Sequence, residues 1–197
     1  MLIPGIILAA GEGKRFGSEK LLAPFDGEPM IFKSLNASLG SSLEEIIVVL
    51  GHEAEKLKRV IEDYFQECRK LKFIVNPDYR DGMISSLNSG LSVLTGDIIG
   101  AMMILGDMPY VRSDTIDKLI RSWNGKDFLI PEVDGNMTHP RIIPSSLFED
   151  FLESDLLSSG KGVLKKNRII VKTILFRNGD QFRDIDFKSD LPDSDEN

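Results

Sequence analysis

The chain has 197 residues, 42% of them apolar and 28% charged, with a net charge of −7 and a single cysteine, Cys68. That length suits one globular domain with a sizeable core. The acidic balance argues against nucleic acid or an anionic membrane as a partner, since both attract a positive surface. One cysteine cannot form an internal disulfide, no apolar run reaches the ~18 residues of a membrane span, and no signal-peptide pattern opens the chain, so a cytoplasmic protein is expected.

Apolar runs and helical patterns alternate along the chain. In order, the patterning predicts a strand at Gly5–Ala9, a helix at Met30–Ser38 and a strand at Glu45–Leu50. A helix at Glu53–Arg69 follows, with Cys68 inside it as a reduced structural thiol, then a strand at Lys72–Val75 and a helix at Ser85–Thr95. Next come a strand at Ala101–Leu105, a helix at Ser113–Ser122, and strands at Asp127–Pro131 and Arg141–Pro144. Helices at Ser145–Leu152 and Gly160–Lys166 and a strand at Ile169–Ile174 complete the series. Ser113 and Ser145 are N-cap signals. The run Ile46-Ile47-Val48-Val49-Leu50 is what a strand covered on both faces requires. The alternation predicts an α/β fold, a three-layer α/β/α sandwich with a mainly parallel, Rossmann-like sheet, whose ligands bind at the carboxyl ends of its strands. Residues 1–188 are expected to form one domain, and the acidic residues 189–197 to fray as a tail.

The first strand runs into Leu8-Ala9-Ala10-Gly11-Glu12-Gly13-Lys14-Arg15-Phe16-Gly17, followed by Lys20-Leu21-Leu22. Glycines let backbone N–H groups approach an anion closely, and Arg15 and Lys20 supply the charge a polyphosphate needs. The loop therefore reads as a nucleoside triphosphate site. Its spacing differs from both the dinucleotide fingerprint and the P-loop. The string Leu8-Ala9-Ala10-Gly11-x-Gly13-x-Arg15-Phe16-Gly17-x-x-Lys20-Leu21-Leu22, then Gly27-x-Pro29-Met30, resembles the signature of nucleotidyltransferases with a MobA-like domain. Within that family it is most similar to the molybdenum cofactor cytidylyltransferases.

That resemblance implies the fold of nucleotide-diphospho-sugar transferases and a Mg²⁺-dependent reaction. A nucleoside monophosphate moves to the phosphate of an acceptor, and pyrophosphate leaves. It implies that Leu8, Ala9, Ala10, Gly11 and Gly13 touch base and ribose. Arg15 grips the β/γ-phosphates, and Lys20 sits near the α-phosphate or the entering phosphate. CTP is favoured over GTP, because guanylyltransferase relatives more often carry Leu-Ala-Gly-Gly; ATP stays open. The favoured acceptor is molybdopterin, with a molybdoenzyme as downstream acceptor. A sugar or polyol phosphate is the alternative, as is a non-catalytic cofactor-handling protein on the same fold.

Four further segments carry chemistry. In Gly106-Asp107-Met108-Pro109 a carboxylate follows a buried strand. Such an Asp can open a turn or ligate Mg²⁺; the resemblance implies the metal role, with Met108 and Pro109 toward the acceptor. In Asn76-Pro77-Asp78-Tyr79-Arg80-Asp81-Gly82-Met83-Ile84-Ser85-Ser86 a polar turn enters a helix whose free N–H groups and hydroxyls can take a phosphate or base edge. There Asn76, Gly82, Ser85 and Ser86 are implied in nucleotide binding, although Ile84 stands where the cytidylyltransferases usually have Ser. In Thr138-His139-Pro140-Arg141, Thr138 replaces the usual Gly, and His139 and Pro140 are implied on the acceptor side. In Arg183-Asp184-Ile185-Asp186, which can also be a solvated acidic edge, the resemblance implies a second metal carboxylate, Asp184 or Asp186, with Asp186 preferred. His52 is read as a loop residue near the cleft with no assigned chemistry.

Overall fold

A computed structural model describes residues 2–17, 19–153 and 169–192. The chain opens with β1 (Gly5–Ala9), a 3-10 turn at Lys20–Leu22, a short hairpin of β2 (Pro24–Phe25) and β3 (Glu28–Pro29), and α1 (Met30–Leu39). Then follow β4 (Ile46–Leu50), α2 (Ala54–Tyr64), β5 (Leu71–Val75), α3 (Met83–Ser92), β6 (Gly100–Leu105) and α4 (Ser113–Ser122). The second half adds β7 (Phe128–Val133), β8 (Asn136–Met137), β9 (Arg141–Pro144), α5 (Phe148–Leu152) and β10 (Val171–Phe176).

The main sheet runs β10-β7-β9-β6-β1-β4-β5, with β8 paired to β7. Strand β1 is parallel to both neighbours, with Ile7 opposite Val48 of β4 and Ile104 of β6. Strand β9 runs antiparallel to β6 and β7, so the sheet is mixed but mostly parallel. The period-2 alternation of side chains separates two cores. Ile7, Val48, Leu50, Met102 and Ile104 face α1, α2 and α4. Ile6, Ile47, Val49, Ala101 and Met103 face Leu87 and Leu91 of α3 and Phe151 of α5. All five residues of β4 are buried, as its unbroken apolar run requires. Helix α3 comes so near β1 that a Cβ on Gly90 would lie 2.5 Å from Ile6 Cγ2.

Some boundaries differ from the sequence reading. Helix α2 ends at Tyr64, and Cys68 lies beyond it in a turn, its N–H bonded to the Phe65 carbonyl. Helix α3 starts at Met83 because Gly82, at φ 106°, turns the chain one residue earlier. Ser113 and Ser145 are not caps: α4 is preceded by Arg112 with no side-chain cap, and Ser145 lies in a 3-10 turn before α5. The helix expected at Gly160–Lys166 lies outside the described residues. The expected tail begins with order. Lys188–Asp190 is a 3-10 turn and Leu191 packs on the Phe16–Phe25–Met30 cluster. No described helix is long and apolar enough to cross a membrane.

Candidate active site

Because β1, β4, β5 and β6 are parallel, their carboxyl ends share one edge. Four connections meet there: the glycine loop, Gly51-His52, the turn from Asn76 to Gly82, and Gly106-Asp107. They enclose a cleft of about 300 Å³, a volume suited to a small-molecule ligand. Leu8, Ala9, Ala10, Gly11 and Gly13 form one wall, with Lys20, Gly82, Ser86 and Asp107 around it. A second pocket adjoins it over Gly11–Gly13 and holds Lys14, Arg15, Lys20, Arg80 and Asp186. Gly13 has φ 61°, a conformation that costs glycine little and carries the loop around.

The charged centre is compact. Lys20 Nζ lies 2.6 Å from Asp107 Oδ2 and 3.2 Å from Asp186 Oδ1, with its own side chain only 11% exposed. Arg15 Nη1 lies 3.1 Å from Asp186 Oδ2. Burial would raise the Asp186 carboxyl, but hydrogen bonds and charge from Lys20 and Arg15 outweigh it and hold the group below its ordinary value. Two carboxylates thus converge on one cation. Hard oxygen donors from one or two carboxylates are what Mg²⁺ takes from a protein when phosphates and water complete its shell. Among the described residues no group of three or more His, Cys, Asp or Glu could hold a metal. The donor set fits an ion shared with a phosphate ligand.

Distant residues hold these side chains. Ser34 of α1 sends its hydroxyl to the Gly106 carbonyl at 3.2 Å, fastening the chain beside Asp107. The Ile185 N–H donates to the Asp107 carbonyl at 3.1 Å, and the Ile185 side chain is fully buried. Alternation about Ile185 then leaves Asp184 exposed and turns Asp186 to Lys20. Asp190 accepts the N–H groups of Asp186 and Phe187 at 2.9 and 2.7 Å and braces that segment. Neither Ser34 nor Asp190 carries a motif that announces this duty.

Other expected site residues lie elsewhere. Asn76 is 2% exposed, and its amide donates to Ser85 Oγ at 2.9 Å and Ser86 Oγ at 3.1 Å. Ser85 in turn donates to the Asp78 carbonyl. Asn76 and Ser85 therefore tie the start of α3 to the end of β5, while Ser86 and Gly82 reach the cleft. Met108 is 2% exposed within the core under α1 and α4, and Pro109 and Pro140 are buried. None of these three lines the cleft or its neighbour, and His139 does not either. Glu12, Tyr79 and Arg80 carry no role from the sequence, and neither does His52. All four line these pockets. Glu12, Tyr79 and Arg80 stand inside the quoted motifs, and His52 follows Gly51, where an added Cβ would lie 2.7 Å from the Ala10 carbonyl oxygen.

His139 Nε2 is buried with no hydrogen-bond partner among the described residues. Desolvation, then the Arg141 charge, lowers its pKa to about 3. The unfolded chain takes up this proton near pH 6.5 and the folded chain does not, so stability is lost as pH falls from about 6.5 toward 3. His139→Gln should flatten that acid limb by roughly 1–3 kcal/mol between pH 7 and pH 4, read by urea denaturation at each pH. An unchanged slope would mean that His139 is protonated in the fold.

Comparison with known proteins agrees with this architecture. The model of the MobA-like NTP transferase domain matches residues 5–171. The chain is 31% identical over 117 residues to the bifunctional protein GlmU of Kineococcus radiotolerans, covering 58% of this chain and 23% of that one. It thus spans about a quarter of the length of that relative. It is 29% identical over 161 residues to a probable molybdenum cofactor guanylyltransferase of Thermococcus gammatolerans, covering 77% of this chain and 74% of the relative. Among solved structures, Rv0371c of Mycobacterium tuberculosis superposes with a TM-score of 0.79 at 21% identity, over 96% of this chain and 95% of that one. A manganese complex of Rv0371c superposes at 0.73 with 20% identity, over 90% of each chain. With its fold, its glycine loop at the sheet edge and the family match across most of its length, this chain belongs to the MobA-like NTP transferase family.

Proposed function

We propose that this protein transfers a nucleoside monophosphate, favoured as CMP from CTP, to the phosphate of a small acceptor, favoured as molybdopterin. The observation that carries this reading is the meeting of Arg15, Lys20, Asp107 and Asp186 beside a cleft walled by the glycine loop. An acceptor phosphate oxygen bonds to the α-phosphorus, the bond from that phosphorus to the bridging oxygen breaks, and pyrophosphate carries away the electron pair. Little covalent chemistry falls to the protein; it must align the groups and neutralise charge. Asp107 and Asp186 would hold the divalent ion, which supplies charge neutralisation on the phosphates when bound. Magnesium is favoured; the manganese complex of Rv0371c supports a divalent metal on this fold. Arg15 takes the charge that grows on departing pyrophosphate. Lys20, drawn from its carboxylates, takes the α-phosphate or the entering phosphate. A molybdoenzyme would then receive the product.

The Leu8-Ala9-Ala10-Gly11 form favours CTP. The Thermococcus relative's name favours a second reading, guanylyl transfer from GTP. A pyrophosphate-release screen separates them, crossing CTP, GTP, ATP and UTP with Mg²⁺ or Mn²⁺ against molybdopterin and a panel of sugar and polyol phosphates. Release with CTP and molybdopterin is the expected result. Release with GTP alone moves the base, and release with a sugar or polyol phosphate moves the acceptor. Nucleotide binding without release under any combination would sink the catalytic reading.

A further inference from the structure

The pocket beside the cleft contains a contradiction in charge. A loop suited to polyphosphate carries a carboxylate, Glu12, between Gly11 and Gly13. That carboxylate is 19% exposed and holds two outlying cations, Lys14 Nζ at 2.8 Å and Arg80 Nε at 3.0 Å. Hydrogen bonds from Lys14 and Arg80 lower its pKa to about 2, so Glu12 is an anion at any working pH. Arg80 reaches the pocket from a different wall, the β5–α3 connection, with its guanidinium 5.4 Å from the centre of the Tyr79 ring. Its side chain is 75% exposed. An exposed ion pair of this kind is weak. A guanidinium binds phosphate through paired N–H donors, and pyrophosphate carries several charges where Glu12 carries one.

We infer that Arg80 is a phosphate-binding residue that closes on the pyrophosphate end of the nucleotide from the wall across the glycine loop, and that Glu12 holds it at the pocket until that ligand arrives. The inference rests on the nucleotidyl-transfer reading of the same site. It adds a cation outside the glycine loop and makes the strength of the grip depend on the number of phosphates. A ligand with two linked phosphates displaces Glu12, and a single phosphate does not.

Calorimetric titration with inorganic pyrophosphate and Mg²⁺, against a parallel titration with inorganic phosphate, tests this on the full chain. Arg80→Gln should weaken pyrophosphate about tenfold, the loss of one charge-assisted contact, and leave phosphate unchanged. Arg80→Lys should recover part of the loss. Glu12→Gln should tighten pyrophosphate several-fold, because Arg80 and Lys14 are released. Opposite signs for the two variants support the inference. If both weaken binding together, Arg80 merely braces the loop, and the inference falls. A larger effect on phosphate than on pyrophosphate also overturns it, since Arg80 would then serve the acceptor. Arg15→Gln separates the two levels. If it weakens pyrophosphate while Arg80→Gln does not, only the role of Arg80 is lost. If neither does, the phosphate assignment of the whole pocket fails.

Discussion

Asp107→Ala should leave a folded chain that releases pyrophosphate about a thousandfold more slowly, the cost of removing a metal carboxylate or comparable electrostatic stabiliser. The fold should survive for a physical reason. Asp107 stands past the end of β6, partly exposed, and adds nothing to either core. Its backbone carbonyl, which takes the Ile185 N–H, is untouched by the substitution. Lys20 loses its 2.6 Å partner but keeps Asp186 at 3.2 Å, so the stability loss should stay near 1 kcal/mol. Single-turnover assays with matched circular dichroism and thermal melts separate the two effects. An Asp107→Ala protein with near-native turnover would remove the carboxylate from the mechanism.

Gly51→Ala should damage nucleotide binding from behind the site. The added Cβ would lie 2.7 Å from Ala10 Cβ, the Ala10 carbonyl oxygen and Tyr79 Cβ. One of these is backbone, and that carbonyl also accepts the His52 N–H at 3.1 Å. The loop cannot yield at one atom alone, so the strain should cost about 1–3 kcal/mol of stability, as overpacking does. It should also weaken nucleotide about tenfold, because the shifted Ala10 belongs to the cleft wall. Gly11→Ala is the contrast. Nothing lies within 4 Å of its added Cβ, so stability should change by less than ~0.5 kcal/mol. Its methyl enters the cleft, and nucleotide binding should still fall. Urea denaturation and nucleotide titration on both variants check the pair. Equal stability losses would mean that Gly51 is not a packing contact.

The two substitutions separate residues that line the cleft from residues that hold those in place. The first kind could be read along the chain. Glycines, Arg15, Lys20 and Asp107 lie within short motifs, in the connections that leave the carboxyl ends of β1 and β6. Unbroken apolar runs likewise mark the strands β1, β4, β6 and β9, and the division of each strand between two cores follows from the alternation of side chains along a strand.

The linear sequence carried the fold class, the sheet edge at which the glycine loop lies, and the charged residues of that loop. It did so because local periodicity and motif spacing act over a few residues. The folded structure alone shows which of two aspartates turns inward. Ile185 is buried, so Asp186 meets Lys20 and Asp184 faces water. Only it showed that Asn76 and Ser85 are joiners of β5 to α3, that Met108 belongs to the core, and that Arg80 reaches across to Glu12. Those outcomes depend on contacts between residues as far apart as Lys20 and Asp186, separated by 166 positions. Packing and ion pairing across such distances are settled when the sheet assembles, and no pattern within either segment encodes them.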